Sequence, residues 1–131
     1  MIGEYVCTEK DMVSDEVFED TIAVFPDNDN GEISARHPNV CIPYRALVPR
    51  GVDGLLVACR AFSSDYRFNE YFNLIPHCVA MGQAARTAAA LAVQARIRPR
   101  DVDTVVLQKQ LLHQGVSLPA KIRSARLPDR F

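Results

Sequence analysis

The sequence contains no tryptophan, few glycines and cysteines, and no long apolar run. Because no stretch of about eighteen consecutive apolar residues occurs, we expect no membrane-spanning helix and no membrane partner. Residues 1–10 lack a basic start followed by an apolar segment, so we expect no signal peptide. With four cysteines and no export signal, the sequence predicts a cytoplasmic protein with free thiols.

The cysteines and histidines lack the spacings that are typical of metal sites, since neither C-x-x-C nor H-x-x-x-H occurs. We therefore predict no metal ligands and no iron–sulfur cluster in this chain. His77 and Cys78 are neighbours, but adjacent helical residues point about 100° apart and do not form a nucleophile–base pair directly. Cys78 is better interpreted as a small buried hydrophobic residue, and a thiol function of Cys59 or Cys78 is a minor alternative.

The charges are unevenly distributed. Residues 1–32 hold ten acids and one base, whereas residues 33–131 hold six acids and fourteen bases. The bases are scattered, and few aromatic residues near the C-terminus are available to stack on nucleobases. We therefore expect no nucleic-acid partner and interpret the charge as a solvated surface with two complementary halves.

Length and composition predict a single segment, residues 1–131, with one core. Residues 1–50 are expected to hold strands and loops, residues 51–119 the last strand of a sheet followed by helices, and residues 120–131 a loose tail. Hydrophobic residues make up 48% of the chain and charged residues 24%, which is typical of a globular protein and not of a disordered one.

Several short segments in the first half have local signals. Residues 2–8 alternate weakly and favour a strand, and residues 8–11 can open a short helix. Residues 26–39 are rich in turn formers and predict an exposed loop. Residues 40–44 look extended, and Pro43 predicts an edge strand or a strand end.

The continuous apolar run at residues 55–59 is typical of a strand buried on both faces, as in a parallel sheet. Such a strand needs neighbours on both sides, and the chain offers no second run of this kind. This is a first indication of a fragment or a subunit. The polar and aromatic residues 60–73 predict irregular structure.

The alanine-rich residues 74–95 predict one long helix, since they contain a single glycine and no proline after Pro76. Four alanines, spaced four apart, form a smooth stripe that permits close packing: Ala80, Ala84, Ala88 and Ala92. A short helix is predicted near residues 103–114, with Asp103 as its N-cap and Gly115 as its stop. Its inward residues would be Leu107, Leu111 and Leu112.

Three stretches carry a resemblance to a known family. They are IPYRALVP at residues 42–49, LLVACRAFSS at residues 55–64, and NEYFNLIPHCVAMGQAARTAAA at residues 69–90. Through them the chain resembles the C-terminal part of FAD-dependent oxidoreductases of the pyridine-nucleotide-disulfide-reductase-like type, including proteins similar to the flavoprotein component of heterodisulfide reductase. The resemblance extends over nearly the whole chain, from residue 3 to residue 119.

The resemblance implies an α+β fragment of an α/β, Rossmann-like FAD-binding flavoprotein, with few strands, one long helix and one short C-terminal helix. It also implies that the start of the long helix faces the flavin end of FAD, where a helix N-terminus suits flavin and phosphate oxygens. The candidate cofactor contacts are Arg60, Ser63, Gly82, Gln83, Ala84 and Ala85. Alternatively, Arg60 is a surface ion-pair partner and Gly82 only relieves packing.

A polar cluster precedes the long helix, and no catalytic residue can be named within it. Its members are Asn69, Glu70, Tyr71, Asn73 and His77. The resemblance implies that this cluster lies near the flavin and the substrate, and the alternative is that it satisfies loop backbone groups. Some relatives carry an iron–sulfur cluster, but no ligands for one can be identified in this chain.

The chain departs from the family pattern in two respects. The G-x-G-x-x-G turn that binds the pyrophosphate is absent. Cys59, Arg86 and Arg96 stand where the family has glycine, a residue used for positive φ or close approach. We therefore expect a truncated FAD-dependent oxidoreductase that is inactive in isolation. The alternative is a non-catalytic remnant or a half-subunit, completed by a missing N-terminal FAD-binding half or by self-association.

Overall fold

The computed structural model describes residues 1–25, 40–72 and 74–127. The loop predicted at residues 26–39 and Asn73 of the polar cluster lie outside this part of the chain. The described residues form one two-stranded sheet and five α-helices, so the α+β class is confirmed. In chain order the elements are α1 (Glu9–Val13), β1 (Thr21–Phe25), β2 (Val40–Pro43), α2 (Tyr66–Phe72), α3 (Ile75–Ala95), α4 (Thr104–His113) and α5 (Ala120–Arg126), with 3-10 helices at Tyr44–Leu47, Cys59–Ala61 and Pro99–Asp101.

The sheet is antiparallel and lies in the core. Val24 pairs with Cys41 and Phe25 with Val40, and the register shifts between Thr21 and Ala23. All four residues of β2 are buried, because helices and the N-terminal segment cover it. β2 ends at Pro43, as expected for a residue without an N–H to donate. None of the helices in the described ranges has the length and apolar character needed to cross a lipid bilayer.

The long helix predicted at residues 74–95 is confirmed as α3. Ala84, Ala88 and Ala92 are almost fully buried, and Ala80 at the start of the stripe is half-buried. The helix packs against β1 and α4. Small side chains on the buried face allow this close approach, and the remaining face of α3 stays open to solvent.

The short helix predicted near residues 103–114 is confirmed as α4. The Asp103 carboxylate accepts a hydrogen bond from the Val105 N–H at 2.8 Å, which caps the helix. Leu107 and Leu111 are fully buried, and Leu112 is half-buried. Gly115 follows the helix with φ +84°, a conformation that glycine adopts without strain.

The N-terminal segment forms a short helix but no strand. Residues 2–8 make only isolated bridges, from Gly3 to Pro49 and from Cys7 to Ser64, so the strand prediction is wrong. The predicted helix opening is confirmed as α1, where Asp11 accepts a hydrogen bond from the Thr8 N–H at 2.7 Å.

Residues 55–59 form no strand, although their composition predicted one. Leu55 is 48% exposed, the next three residues are half-buried, and Cys59 is exposed. The Val57 N–H donates to the Leu47 carbonyl oxygen at 2.8 Å. Gly54 and Cys59 both have positive φ, which turns the chain out of the extended conformation at each end of the run.

Two further segments are more ordered than the sequence predicted. Within residues 60–73, α2 begins after Asp65, whose carboxylate accepts from the Phe68 N–H at 2.8 Å. The expected loose tail at residues 120–131 instead contains α5, where Ile122 is buried. Arg126 of α5 donates from Nε to Gln108 Oε1 at 2.9 Å, a long-range contact that has no signal in the local sequence.

Candidate functional site

The cofactor-contact candidates lie at two places: the 3-10 helix Cys59–Ala61 with the residues just after it, and the first half of α3. The 3-10 helix packs against α3. The thiols of Cys59 and Cys78 are hydrogen bonded to each other across this contact. Gly82 follows Cys78 by one helical turn and therefore lies on the same face of α3.

Arg60 and Ser63 have different environments. Arg60 is exposed, and its charge lies close enough to both thiols to favour their ionised forms. Ser63 is fully buried, and its Oγ accepts a hydrogen bond from the Gly3 N–H at 2.9 Å. The Ser63 side chain therefore holds the N-terminal segment against the core.

The four candidates on α3 point in different directions. Gly82 faces open space, since a Cβ built there would meet nothing within 4 Å. Gln83 donates from Nε2 to Gln114 Oε1 at 2.9 Å, so it joins α3 to the residues after α4. Ala84 is fully buried, and Ala85 packs against the core. Of these four, Gly82 leaves room for a ligand against the helix backbone.

The position of Gly82 also bears on the helix-terminus expectation. The Cys78 N–H donates to the Leu74 carbonyl oxygen at 3.0 Å, which is the first bond of the α3 ladder. The amides of residues 82–85 consequently lie inside the ladder, beyond the first turn. A ligand at Gly82 would contact the helix side rather than its terminal N–H groups.

We name the residues Ile75, Val79 and Gly82 the outer face of α3, since they are spaced four and three apart along the helix. Ile75 is 76% exposed and Val79 is 64% exposed. This apolar face adjoins the exposed Arg60 and Cys59 through Cys78. An apolar surface with an adjacent cation and a glycine gap fits the edge of a flavin ring, which is apolar in its body and carries polar oxygens.

Two of the three positions where the resemblance has glycine adopt left-handed backbone. Cys59 has φ +66°, and Arg96, directly after α3, has φ +55° and ψ +42°. For a residue with a Cβ this region costs roughly 1–2 kcal/mol, and for glycine it does not. Arg86 differs, because it lies inside α3 with an exposed side chain.

The two thiols of the site have opposite pKa shifts. The hydrogen bond from Cys78 lowers the pKa of Cys59, helped by the backbone N–H and the charge of Arg60. Burial raises the pKa of Cys78, and its hydrogen bond to Cys59 raises it further. Cys78 is half-buried rather than buried as predicted. The exposed Cys59 is therefore the thiol that ionises first.

The polar cluster before α3 serves local structure. Asn69 donates from Nδ2 to the Arg60 carbonyl oxygen at 3.1 Å, and Glu70 accepts from the Tyr66 hydroxyl at 2.7 Å. The His77 ring is buried between Phe25 and Phe72, with centroid distances of 4.3 and 4.8 Å. Tyr71 packs partly buried against the core. These contacts favour the alternative that the cluster satisfies and orders its own segment.

Sequence reasoning missed one feature, a cleft of about 530 Å³ between the N-terminal segment and the region before α4. It is lined by residues far apart in sequence: Glu4, Glu19, Asp20, Tyr44, Arg45, Val48, Arg100, Asp101, Val102 and Thr104. Its charges are paired, since Arg100 contacts Glu4 at 2.8 Å and Arg45 contacts Asp20 at 2.9 Å. No local motif joins these residues, so no signal in the sequence could have found the cleft.

Among the residues that the structure describes, no group of three or more His, Cys, Asp or Glu side chains is placed to hold a metal ion. Residues 1–111 match the model of the family described as FAD dependent oxidoreductase. Searches of curated proteins and of solved structures found no match.

Proposed function

The chain belongs to the FAD-dependent oxidoreductase family, and from that premise we propose that it contributes the flavin side of a cofactor site. The outer face of α3 would lie against the flavin ring, with Gly82 giving the closest approach and Arg60 nearby as a cation. When bound, FAD supplies the redox chemistry by accepting and delivering electrons, and the protein orients it. The observation that carries the proposal is the open space over Gly82 beside an exposed apolar face.

The other part of FAD needs a binding site that this sequence does not provide. The chain has no G-x-G-x-x-G turn for the pyrophosphate. We therefore propose that the chain acts as a fragment of a Rossmann-like flavoprotein, completed by an FAD-binding half in the same or another polypeptide. A relationship to the heterodisulfide reductase group and a cytoplasmic setting are parts of this proposal. The motif at residues 69–90 and the sequence's lack of an export signal support them.

A non-catalytic role is the second candidate, and the backbone favours it at two positions. Cys59 and Arg96 occupy left-handed conformations that the family's glycine adopts without strain. A remnant or half-subunit would tolerate this cost more easily than a tuned cofactor site. Its partner would be the missing half or a second copy, seated on the outer face of α3.

Binding of FMN, which carries the flavin without the adenosine, separates the two candidates. Flavin fluorescence is measured at increasing concentrations of the chain, of Gly82→Leu and of Ala95→Leu. Leucine at position 82 fills the open space, and leucine at the exposed position 95 does so at the far end of the same helix. Both changes suit a helix, so folding is not the limiting factor.

We expect weak FMN binding by the chain and by Ala95→Leu, and at least about tenfold weaker binding by Gly82→Leu, which corresponds to roughly 1.4 kcal/mol. Equal FMN binding by all three proteins would contradict the placement of the flavin at Gly82. No FMN binding by any of them would favour the non-catalytic candidate.

A further inference from the structure

The thiol pair at the start of α3 has an arrangement that flavin binding does not require. Cys59 is the first residue of a 3-10 helix, and Cys78 lies in the first turns of α3. Their side chains are hydrogen bonded to each other, so the two sulfur atoms are neighbours although the residues are far apart in sequence. Direct contact between two thiols is the geometric precondition for a disulfide.

The two thiols differ in exposure in the way that thiol–disulfide exchange requires. Cys59 is exposed, whereas Cys78 is half-buried behind it. The pKa of Cys59 is lowered by the Cys78 hydrogen bond and by Arg60, while burial raises the pKa of Cys78. A thiolate attacks faster than a thiol, so Cys59 is the attacking sulfur and Cys78 the resolving one.

The other two cysteines provide an internal contrast. Cys7 and Cys41 are buried, with at most 1% of their surface exposed. Burial raises the pKa of both, that of Cys41 to about 11. They have neither the access nor the ionisation that exchange requires.

The backbone at Cys59 also distinguishes this residue from a filler. Its φ of +66° is unfavourable for any residue with a Cβ, so the local conformation alone favours glycine. A side chain at this position costs conformational energy, and its sulfur contacts the Cys78 thiol.

We propose that Cys59 and Cys78 form a redox-active dithiol that exchanges with low-molecular-weight disulfides such as oxidised glutathione. The Cys59 thiolate attacks one sulfur of the disulfide, which forms a mixed disulfide and releases the first thiolate. The Cys78 sulfur, after losing its proton to solvent, attacks the Cys59 sulfur and releases the second thiolate. The protein dithiol is oxidised by two electrons, and the small disulfide is reduced to two thiols. This activity stands apart from flavin binding.

The test incubates the purified, fully reduced chain with oxidised glutathione at neutral pH, followed by acid quenching, alkylation and peptide mass mapping. We expect an intramolecular Cys59–Cys78 disulfide, with Cys7 and Cys41 still reduced. In Cys78→Ser, glutathione should accumulate on Cys59, because no resolving sulfur is present. Cys59→Gly fits the left-handed backbone and therefore folds, and in this variant Cys78 should stay reduced.

A second readout is the pH dependence of alkylation of Cys59 by iodoacetamide. We expect its midpoint to lie below that of an ordinary thiol, about 8.5, and to rise in Cys78→Ser and in Arg60→Gln. A purely structural role for the pair would leave this midpoint at the ordinary value. Glutathione retained on Cys59 in the wild-type chain, disulfides between chains, or oxidation of Cys41 at the same rate would each overturn the proposal.

Discussion

The Gln108 side chain on α4 donates from Nε2 to the carbonyl oxygen of Thr21 on β1 at 2.9 Å. The same nitrogen donates to the Glu19 carbonyl oxygen at 2.8 Å, and Gln108 Oε1 accepts from Arg126. Gln108 is fully buried. One amide therefore connects β1, α4 and α5.

Replacement of this amide should destabilise the fold strongly. Gln108→Ala leaves two carbonyl oxygens near β1 without their donor, and each such loss costs about 1–3 kcal/mol. We expect a decrease of roughly 2–4 kcal/mol in the free energy of unfolding, measured by urea denaturation. Gln110→Ala, on the exposed side of α4, is the matched control and should change stability by less than about 0.5 kcal/mol. A similar decrease for both variants would show that the buried contacts have no special weight.

The left-handed residues make a prediction of the opposite sign. Cys59→Gly and Arg96→Gly should each stabilise the chain by about 1 kcal/mol, because glycine removes the cost of a Cβ at positive φ. Arg86→Gly lies inside α3 and should destabilise it by about 1 kcal/mol. Thermal unfolding of the three variants checks the pattern. Destabilisation by glycine at position 96 would mean that Arg96 makes contacts that outweigh its backbone strain.

The pH dependence of stability should reveal the buried thiol of Cys41. Burial raises its pKa to about 11 in the folded chain, against an ordinary value of 9.0. As pH rises above about 9, the unfolded chain loses this proton and the folded chain keeps it, so the unfolded state is favoured. The contribution is complete near pH 11 and amounts to roughly 2 kcal/mol.

Urea denaturation of the wild type and of Cys41→Ala between about pH 8 and pH 11 isolates this contribution. The variant has a lower stability throughout because of its cavity, but it should lose less stability across the interval. Parallel curves would show that Cys41 ionises as easily in the folded chain as in the unfolded one.

The outer face of α3 should cause self-association of the isolated chain. Ile75 and Val79 expose most of their surface, and Leu55 adds further apolar area. We expect a mass above that of the monomer in light scattering, decreasing in the double variant Ile75→Glu, Val79→Glu. Lys109→Glu with Gln110→Glu, exposed on α4, is the control. A monodisperse wild-type monomer would contradict this prediction.

The sequence predicted the elements whose signals are local. The alanine stripe predicted α3, and Asp103 with Gly115 predicted α4, because caps and periodicity act within a few residues. The apolar run at residues 55–59 misled, because composition does not report whether a neighbouring strand is present to pair with it. The hydrogen bond from Arg126 to Gln108 orders α5, and no local pattern announces it.

The candidate site was predictable in part. The resemblance pointed to Gly82 and Arg60, and the structure leaves both accessible. It did not reveal that the Ser63 hydroxyl is engaged by Gly3 or that Gln83 bonds to Gln114, since both partners are distant in sequence. The contact between Cys59 and Cys78 required the fold, because a 3-10 helix and α3 meet there.

The most direct measurement of the central claim is a pair of NMR titrations of the ¹⁵N-labelled chain, one with FMN and one with ADP. These ligands carry the two ends of FAD separately. A flavin-side fragment should show amide shifts at Gly82 and Arg60 with FMN and none at these residues with ADP. Shifts at Gly82 and Arg60 with ADP but not with FMN, or no shifts there with millimolar FMN, would contradict the account.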